Sequence, residues 1–589
     1  MSSPLANVQL QFVDSIDDAM DLKRWLGERR EGPIGLDTES GGLNPWHTRL
    51  RLVQFGDMHR GWAVPYPMWG GVVQEILDAW EGEWILHNSP HDIKFLSVHA
   101  GWKVPWSRIH DTMTLAGLDD SARLRGLKYL GGKLVDPAAQ AGEKLLHDGM
   151  AAQKWTWATV PYDFAPYWIY GALDPVITAH LYHHLAPRVQ ATCPDAYDLE
   201  RGTIRVVTNM MMNGMFVDQP YVRDAMDKLQ NFSTEARAWL KNTHGLTSIM
   251  SAKQIATALE AHGFKVKQFT PTNLPRIDKE TLTQIRDFGD NEEIKLLARQ
   301  ILAVRHAEKL TGTYLQAFLD GVDSNGRLHG TISPMGARTH RMTASEPNLQ
   351  NLPRGDKVVR GSFAPTEGNV LIACDLSQVE ARLGAHFTED AGLIEAFRAA
   401  DEDGADFFCG VASGIFGEPI EKSDPRRQTT KNVVYGALYG AGAAKMAQTA
   451  GVPLSVMAPV KSAFDEKYPG IQTRTRWLID RALEMESPAV RLPDGRYLKC
   501  DRDRLATQGL NSEIQGAAAA LMKRFLLNIE AAGLGPNLRN VVHDEAILEV
   551  PREDGFAALA AVEDAMTDRE NYRVAITAEG KIMETRWEK

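Results

Sequence analysis

Four side chains that could hold a nucleoside triphosphate recur at every fourth position of one segment. Arg427, Lys431, Tyr435 and Tyr439 are spaced so that a helix would place them on one slowly turning face. The cations could bind phosphates and a ring could stack on a base. A glycine follows each tyrosine, although glycine inside a helix costs about 1 kcal/mol relative to alanine. The alternative is a solvated basic stripe beside two buried tyrosines.

Two distant acidic segments could bind divalent metal ions. The apolar run 370–374 predicts a strand that ends at Asp375, with Ser377 as the cap of the following helix. Apolar runs flank Asp544 and Glu545, which predicts a hairpin with both carboxylates at its tip. Carboxylate oxygens are the ligands that Mg²⁺ prefers. Taken alone, an Asp-Glu turn is only a polar turn.

A second set of acids lies near the N-terminus. Asp37 and Glu39 are two residues apart at a predicted strand end, so both project from one face, and Asp92 follows another strand end. Tyr170 and Asp174 share one face of a predicted helix. Four converging carboxylates could hold two Mg²⁺ ions about 4 Å apart, with the phenol orienting a water. The pair Asp37 and Glu39 alone is more often a solvated strand end.

The first ~190 residues alternate between short apolar strands and helices, which is typical of an α/β domain. Strands are predicted at 34–36, 50–55, 61–64 and 84–86, and a helix at 72–80. From residue 200 to about 330 the chain is predicted to be mostly helical, with a long amphipathic helix at 303–318.

Composition sets wide limits on function. The chain has 589 residues, enough for several domains, and its net charge is -11. That acidity does not exclude nucleic acid, because binding depends on local basic surface, and one stretch holds Arg338, Arg341, Arg354, Lys357 and Arg360. Four scattered cysteines, no signal peptide and no membrane-length apolar run predict a cytoplasmic protein without zinc, disulfides or membrane contact.

The N-terminal acids carry a family resemblance. The series DxE (37–39), NxxxD (88–92) and YxxxD (170–174) resembles the three motifs of a DEDD-type 3′→5′ exonuclease in its tyrosine variant. The resemblance implies an RNase H-like domain in which Asp37, Glu39, Asp92 and Asp174 bind metal and Tyr170 positions water. His91 stands where the family usually has an aromatic residue, which puts the local packing in question.

The remaining motifs resemble a family A DNA polymerase. Residues 375–382 (DLSQVEAR), the helix 427–440 and residues 542–545 (VHDE) are similar to its motifs A, B and C, in that order. This implies an α/β multidomain chain, in which a right hand of thumb, palm and fingers follows the exonuclease, without a 5′-nuclease domain. It also implies a monomer that copies primer–template DNA from dNTPs in DNA replication, with proofreading, using two Mg²⁺ per active site and Mn²⁺ as a substitute.

The resemblance also implies domain boundaries. They are the exonuclease at 1–195, thumb and start of palm at 196–335, palm with motif A at 336–390, fingers at 391–490, and palm with motif C at 491–589.

Roles for single residues follow from the same resemblance. Asp375 and Asp544 bind metal, Glu545 supports them, and Lys431 is a general acid toward pyrophosphate. The side chains expected around the incoming dNTP are Arg427, Lys431, Tyr435, Tyr439, Gln378, His543 and Glu380, the last as a steric gate against ribonucleotides. The side chains expected to contact DNA are Lys309, Arg341, Gln350, Asn351, Arg360, Arg382 and Gln515. Phe408 and Ala520 replace a histidine and an aspartate usual in the family.

Two other functions compete with this interpretation. One is a nuclease whose C-terminal part only clamps a duplex, and the other is a non-catalytic nucleic-acid scaffold. The presence of both Asp375 and Asp544 together with the cation–aromatic helix argues against both, because a clamp needs no paired acids.

Overall fold

A six-stranded sheet organises the N-terminal third of the computed structural model, which describes residues 3–29, 32–266, 268–353 and 356–588. The strand order is β1-β4-β3-β2-β5-β6; β3 is antiparallel to both neighbours and the other pairs are parallel. Its elements are β1 Gln9–Phe12, α1 Ile16–Gly27, β2 Ile34–Ser40, β3 Leu50–Gly56, β4 Arg60–Pro65, α2 Tyr66–Ala79, β5 Trp84–Leu86, α3 Ser89–Ala100, β6 Ile109–Asp111, α4 Thr112–Asp119, α5 Leu127–Leu134, α6 Ala141–Gln153 and α7 Ala165–Thr192. The four predicted strands are present, and the predicted helix 72–80 is the second half of α2.

Helix α7 lies directly on this sheet because two glycines make room for it. A Cβ on Gly61 would approach the Ala172 carbonyl oxygen to 1.9 Å, and one on Gly35 would approach that of Pro175 to 2.3 Å. No larger residue fits either position. This close approach brings the helix residue Asp174 down onto β2.

Helices dominate the next region, and its part from Ala236 to Val304 forms a separate apolar core. Its elements are α8 Pro194–Asn213, β7 Met215–Phe216, α9 Gln219–His244, α10 Ala252–Glu260, α11 Lys279–Phe288, α12 Glu292–Lys309, α13 Gln316–Gly321 and β8 Arg327–Leu328. The predicted helix 303–318 is composite, because a π-helical turn, Leu310–Leu315, joins α12 to α13.

A four-stranded antiparallel sheet, β14-β15-β11-β16, forms the base of the C-terminal region, with helices packed against it. The elements here are β9 Thr331–Ser333, β10 Thr343–Ser345, α14 Lys357–Gly361, β11 Asn369–Leu376, α15 Val379–Thr388, α16 Ala391–Asp403, α17 Phe407–Phe416, α18 Pro425–Leu438, α19 Ala443–Ala450, α20 Leu454–Lys467, α21 Gly470–Leu483, β12 Ala489–Arg491, β13 Tyr497–Lys499, α22 Leu505–Ile529, β14 Leu538–Val542, β15 Glu545–Pro551, α23 Gly555–Ala565 and β16 Ala578–Met583. The domain boundaries given above stay predictions.

A buried charged network joins the N-terminal and C-terminal regions. The Glu200 carboxylate of α8 accepts hydrogen bonds from Lys523 Nζ at 2.6 Å and from Arg496 Nη1 at 2.7 Å, and all three side chains are fully buried. Arg496 also donates to His340 Nδ1 at 3.2 Å, and the other ring nitrogen of His340 donates to the Gly117 carbonyl of α4 at 3.1 Å. We call these five residues the interdomain network.

Within the described ranges, no helix is both long enough and apolar enough to cross a bilayer.

Candidate active sites

The two acidic segments of the C-terminal region meet on neighbouring strands. Asp375 at the end of β11 lies opposite Glu545 at the start of β15, and the Leu376 amide donates to the Asp544 carbonyl at 3.2 Å. The apolar runs before and after the acids are buried in the sheet, so this register is fixed by the core. Asp375 and Asp544 are half-buried and Glu545 is buried. The predicted hairpin is present, with exposed His543 in its turn at a φ of 58°.

A cavity of about 310 Å³ opens beside these acids, lined by Asp544, His543, Glu380, Arg341 and residues of α22. The Glu380 carboxylate at its rim accepts hydrogen bonds from the Arg341 guanidinium and from the Tyr439 hydroxyl. Helix α15, which carries Glu380, begins one residue later than predicted. Its N-cap is Gln378 in a left-handed conformation without a side-chain cap bond, so the predicted Ser377 cap is wrong.

Helix α18 presents the cation–aromatic face predicted from the sequence, but it ends at Leu438 with Tyr439 as its C-cap. Arg427 forms a bidentate ion pair with Asp406, with distances of 2.6 and 2.9 Å. Burial, with Glu380 and Asp544 nearby, raises the pKa of Tyr435 to about 12, so its hydroxyl stays protonated.

Phe408 forms the floor beneath this face. It is 2% exposed, and its ring centroid lies 5.5 Å from Lys431 Nζ, 5.7 Å from the Arg427 guanidinium and 5.9 Å from the Tyr435 ring. An aromatic ring at this distance attracts a cation electrostatically. Phe408 therefore supports the basic side chains rather than supplying a hydrogen-bond donor.

The residues expected to contact DNA fall into two groups. Asn351 and Lys309 are exposed, and Arg341 and Gln515 are half-buried. Gln350 is buried and donates to the Val541 carbonyl at 3.2 Å, beside the strand that leads to Asp544. Arg354 lies outside the described residues.

Arg382 and Arg360 are placed differently from the expectation, because each is only 4% exposed. The Arg382 guanidinium pairs with Asp401 at 2.6 Å and donates to the Ser377 and Ala575 carbonyls. Arg360 lies 4.8 Å from the Trp587 ring centroid. In this conformation both arginines are buried against internal partners, and their contact with DNA stays a prediction.

The N-terminal acids form a second site. Asp37 and Glu39 of β2 and Asp174 of α7 each offer an oxygen within 4.8 Å of the others, a donor set suited to Mg²⁺. Asp92 is bound beside them by the Thr38 hydroxyl at 2.7 Å. Burial, with Asp174 adding repulsion, raises the pKa of Glu39 to about 8.

Burial also raises the pKa of Asp92 to about 7, and burial with the neighbouring carboxylates raises that of Asp37 well above its usual value. Such crowded acids gain stability from a bound cation.

Lys128 of α5 supplies such a cation, and no sequence motif predicted its place in the site. Its ammonium forms an ion pair with Asp174 and lies 3.9 Å from the Tyr170 ring centroid. A single lysine in a short helix belongs to no motif, so only the folded structure reveals its place. His91, which the sequence analysis questioned, packs 5.0 Å from the Phe95 ring, and burial lowers its pKa to about 4.

Comparison with known proteins identifies the family. The sequence profile of DNA polymerase family A matches residues 219–589, and that of a 3′-5′ exonuclease matches residues 11–190. The chain belongs to DNA polymerase family A. It is a DNA-directed DNA polymerase with an N-terminal 3′→5′ exonuclease domain, as the motifs predicted.

The relatives of this polymerase are phage and bacterial. The chain is 29% identical over 565 residues to a DNA polymerase of Mycobacterium phage D29, covering 93% of this chain and 91% of the phage protein. It is also 29% identical over 513 residues to DNA polymerase I of Chloroflexus aurantiacus, of which it spans 52%. Its fold matches the POL domain of Pol1 from M. smegmatis, solved in complex with DNA primer-template and dNTP, with a TM-score of 0.76, 22% identity and coverage of 98% and 99% of the two chains.

Proposed function

We propose that this polymerase extends primers at the acids of β11 and β15 and removes mispaired ends at the acids of β2 and α7. The observation that carries the first assignment is the pairing of β11 with β15, which sets Asp375 opposite Glu545 and bonds Leu376 to Asp544, although 169 positions separate the two aspartates in sequence. The arrangement of Asp37, Glu39 and Asp174 supports the second in the same way.

Divalent metal dependence is general to this family, and the donors present fit Mg²⁺, with Mn²⁺ as a substitute. In the polymerase site Asp375 and Asp544 would hold two ions, and in the exonuclease site Asp37, Glu39, Asp92 and Asp174 would do so. When bound, such a pair of ions activates the attacking oxygen and stabilises the leaving oxygen.

The α18 face binds the triphosphate of the incoming dNTP. Arg427 exchanges Asp406 for phosphate, and a guanidinium suits such bidentate contacts. Lys431 donates a proton toward the departing pyrophosphate. Tyr435 packs along the sugar and base, and Tyr439 lies near the templating base once its bond to Glu380 is released.

The cavity rim selects the sugar and holds the primer. Glu380 excludes a 2′-hydroxyl by its bulk, while Gln378 and His543 lie beside the primer terminus. The donors Arg341, Gln350, Asn351, Gln515 and Lys309 contact the duplex, since amides and guanidinium groups suit the minor groove and phosphates. In the exonuclease site, Tyr170 orients the attacking water.

We further propose that the chain acts as a monomer on primer–template DNA and dNTPs. A structural neighbour bound to DNA primer-template and dNTP supports this substrate set. The phage and bacterial origin of its relatives supports DNA replication in the bacterial cytoplasm.

Extension of matched and mismatched primers tests both sites in one experiment. Asp375→Asn keeps the side-chain volume but removes the charge, so it should abolish extension while leaving removal of the mismatched end intact. Asp37→Asn should do the reverse. Asp195→Asn, at an exposed position of α8, is the matched control and should retain both activities. Extension at the unchanged rate by Asp375→Asn would refute the polymerase assignment.

A further inference from the structure

Lys128 is a cation that contacts the exonuclease acid Asp174 in this structure. Its side chain is 11% exposed and that of its partner Asp174 is 7% exposed, so the ion pair is largely shielded from water. The ammonium also lies over the Tyr170 ring, at 3.9 Å from the centroid. Lys128 thus contacts both Asp174, a candidate metal ligand, and Tyr170, the residue proposed to orient water. Helix α7 carries both.

The charge balance of the cluster explains why a cation is needed there. Three carboxylates come within 4.8 Å of one another, with Asp174 buried and Asp37 and Glu39 half-buried. Lys128 opposes the repulsion from neighbouring acids at both Glu39 and Asp37, and Arg51 adds a weaker opposing effect at Glu39. Without it, ionising these acids would cost more, because buried like charges disfavour each other's ionisation.

The same position conflicts with metal binding. Lys128 holds an oxygen of Asp174, and that carboxylate belongs to the three-acid cluster suited to a divalent ion. An ammonium and a divalent ion on one carboxylate repel each other strongly at low dielectric. Lysine has a flexible four-carbon stem, so the ammonium can leave without moving the backbone.

We propose that Lys128 is a placeholder cation of the exonuclease site: it occupies Asp174 and steadies Tyr170 in the metal-free enzyme, and it yields Asp174 when a divalent ion binds. The ammonium therefore competes with the metal and sets the metal concentration at which the exonuclease becomes active. This inference rests on the proposed assignment of the exonuclease acids.

Mn²⁺ binding to the full-length chain tests the competition without relying on activity. All proteins carry Asp375→Asn, so that the exonuclease site dominates, and bound Mn²⁺ is measured by electron paramagnetic resonance. Lys128→Met and Lys128→Gln remove the charge at similar length and should bind Mn²⁺ on the order of tenfold more tightly, because no charged hydrogen bond must first be broken. Lys128→Arg keeps the charge and should bind as the parent does.

Two outcomes separate the inference from the assignment beneath it. Suppose that Asp37→Asn abolishes Mn²⁺ binding but both neutral Lys128 variants bind Mn²⁺ as the parent does, or more weakly. The placeholder role of Lys128 is then refuted, and the metal site stands. If Asp37→Asn leaves Mn²⁺ binding unchanged, the exonuclease assignment itself fails. The use of two neutral variants keeps the test decisive should one of them fold poorly, and extension of a matched primer by the same variants without Asp375→Asn monitors folding of the whole chain.

Discussion

Replacing Phe408 by leucine should weaken nucleotide binding more than it slows the chemical step. The ring lies 5.5 Å from Lys431 Nζ and 5.7 Å from the Arg427 guanidinium, so one aromatic face supports both triphosphate-binding candidates. Leucine has a similar volume and remains apolar, so the buried position stays filled while the ring's negative face is lost.

The magnitude follows from the two contacts. Each cation–π interaction contributes about 0.5–1 kcal/mol at a partly exposed site. Together they amount to about 1–2 kcal/mol, which corresponds to a rise of about 5- to 30-fold in the KM for dNTP. Lys431 Nζ is also the proposed proton donor to pyrophosphate, so kcat for single-nucleotide extension should fall as well, but by no more than about fivefold, the share of one contact.

Steady-state insertion of one dNTP opposite a fixed template base measures both constants. Phe407→Leu is the matched control: the neighbouring ring is equally buried, but it stacks on Phe397 at 3.7 Å. Its KM should stay near that of the parent protein. Equal KM values for Phe408→Leu and the parent, or an effect confined to kcat, would refute the idea that the ring supports the two cations.

Three further predictions concern the sugar gate at Glu380, the hydroxyl group of Tyr435 and the acids of the exonuclease site. Glu380→Ala should raise ribonucleotide incorporation by about 10- to 200-fold, the range that one steric contact supplies. Tyr435→Phe should raise discrimination against dideoxynucleotides by at least on the order of tenfold, because the tyrosine hydroxyl replaces the contact of the missing 3′-hydroxyl. In metal-free buffer, the Tm should fall as pH rises from 5 to 8. The folded-state pKa values of Asp92, about 7, and Glu39, about 8, lie above their unfolded values. Between pH 5 and 8 the folded protein therefore binds more protons than the unfolded chain, and its free energy of unfolding falls as the pH rises.

Gel assays of ribonucleotide insertion and of chain termination measure the first two effects, and unchanged ratios would contradict the roles given to Glu380 and Tyr435. Thermal melts in chelator measure the third. Glu39→Gln removes one of the titrating groups and should flatten the pH dependence. A Tm that rises steadily between pH 5 and 8 in the parent protein would contradict the burial argument.

The sequence predicted those parts of the sites that local pattern determines. The apolar run before Asp375 predicted a strand, and the apolar runs around Asp544 predicted a hairpin. Both belong to one sheet, and the pairing of their strands brings the acids together. Partners brought in from elsewhere left no local signal. The ion pair of Arg427 with Asp406 and the burial of Arg382 against Asp401 depend on how the helices α15 to α18 pack together.

The helix cap predicted at Ser377 and the ion pair of Lys128 show the same limit of prediction from local sequence. The predicted Ser377 cap was wrong because the turn after Asp375 is left-handed at Gln378, and the Ser377 amide donates to the Thr577 carbonyl, 200 residues later in sequence. Lys128 reaches Asp174 from 46 residues away in sequence, and nothing near it distinguishes it from an ordinary surface lysine.

The interdomain network restricts where this enzyme can be trimmed. A shortened polymerase that begins at α9 would lose Glu200, the carboxylate that Lys523 and Arg496 share, together with the contacts of α8 with α22 that help to bury them. A cut between α7 and α8, near residue 193, would keep that carboxylate. Trimming at the edge of the matched polymerase region, residue 219, would therefore yield a less stable fragment than a start about 25 residues earlier.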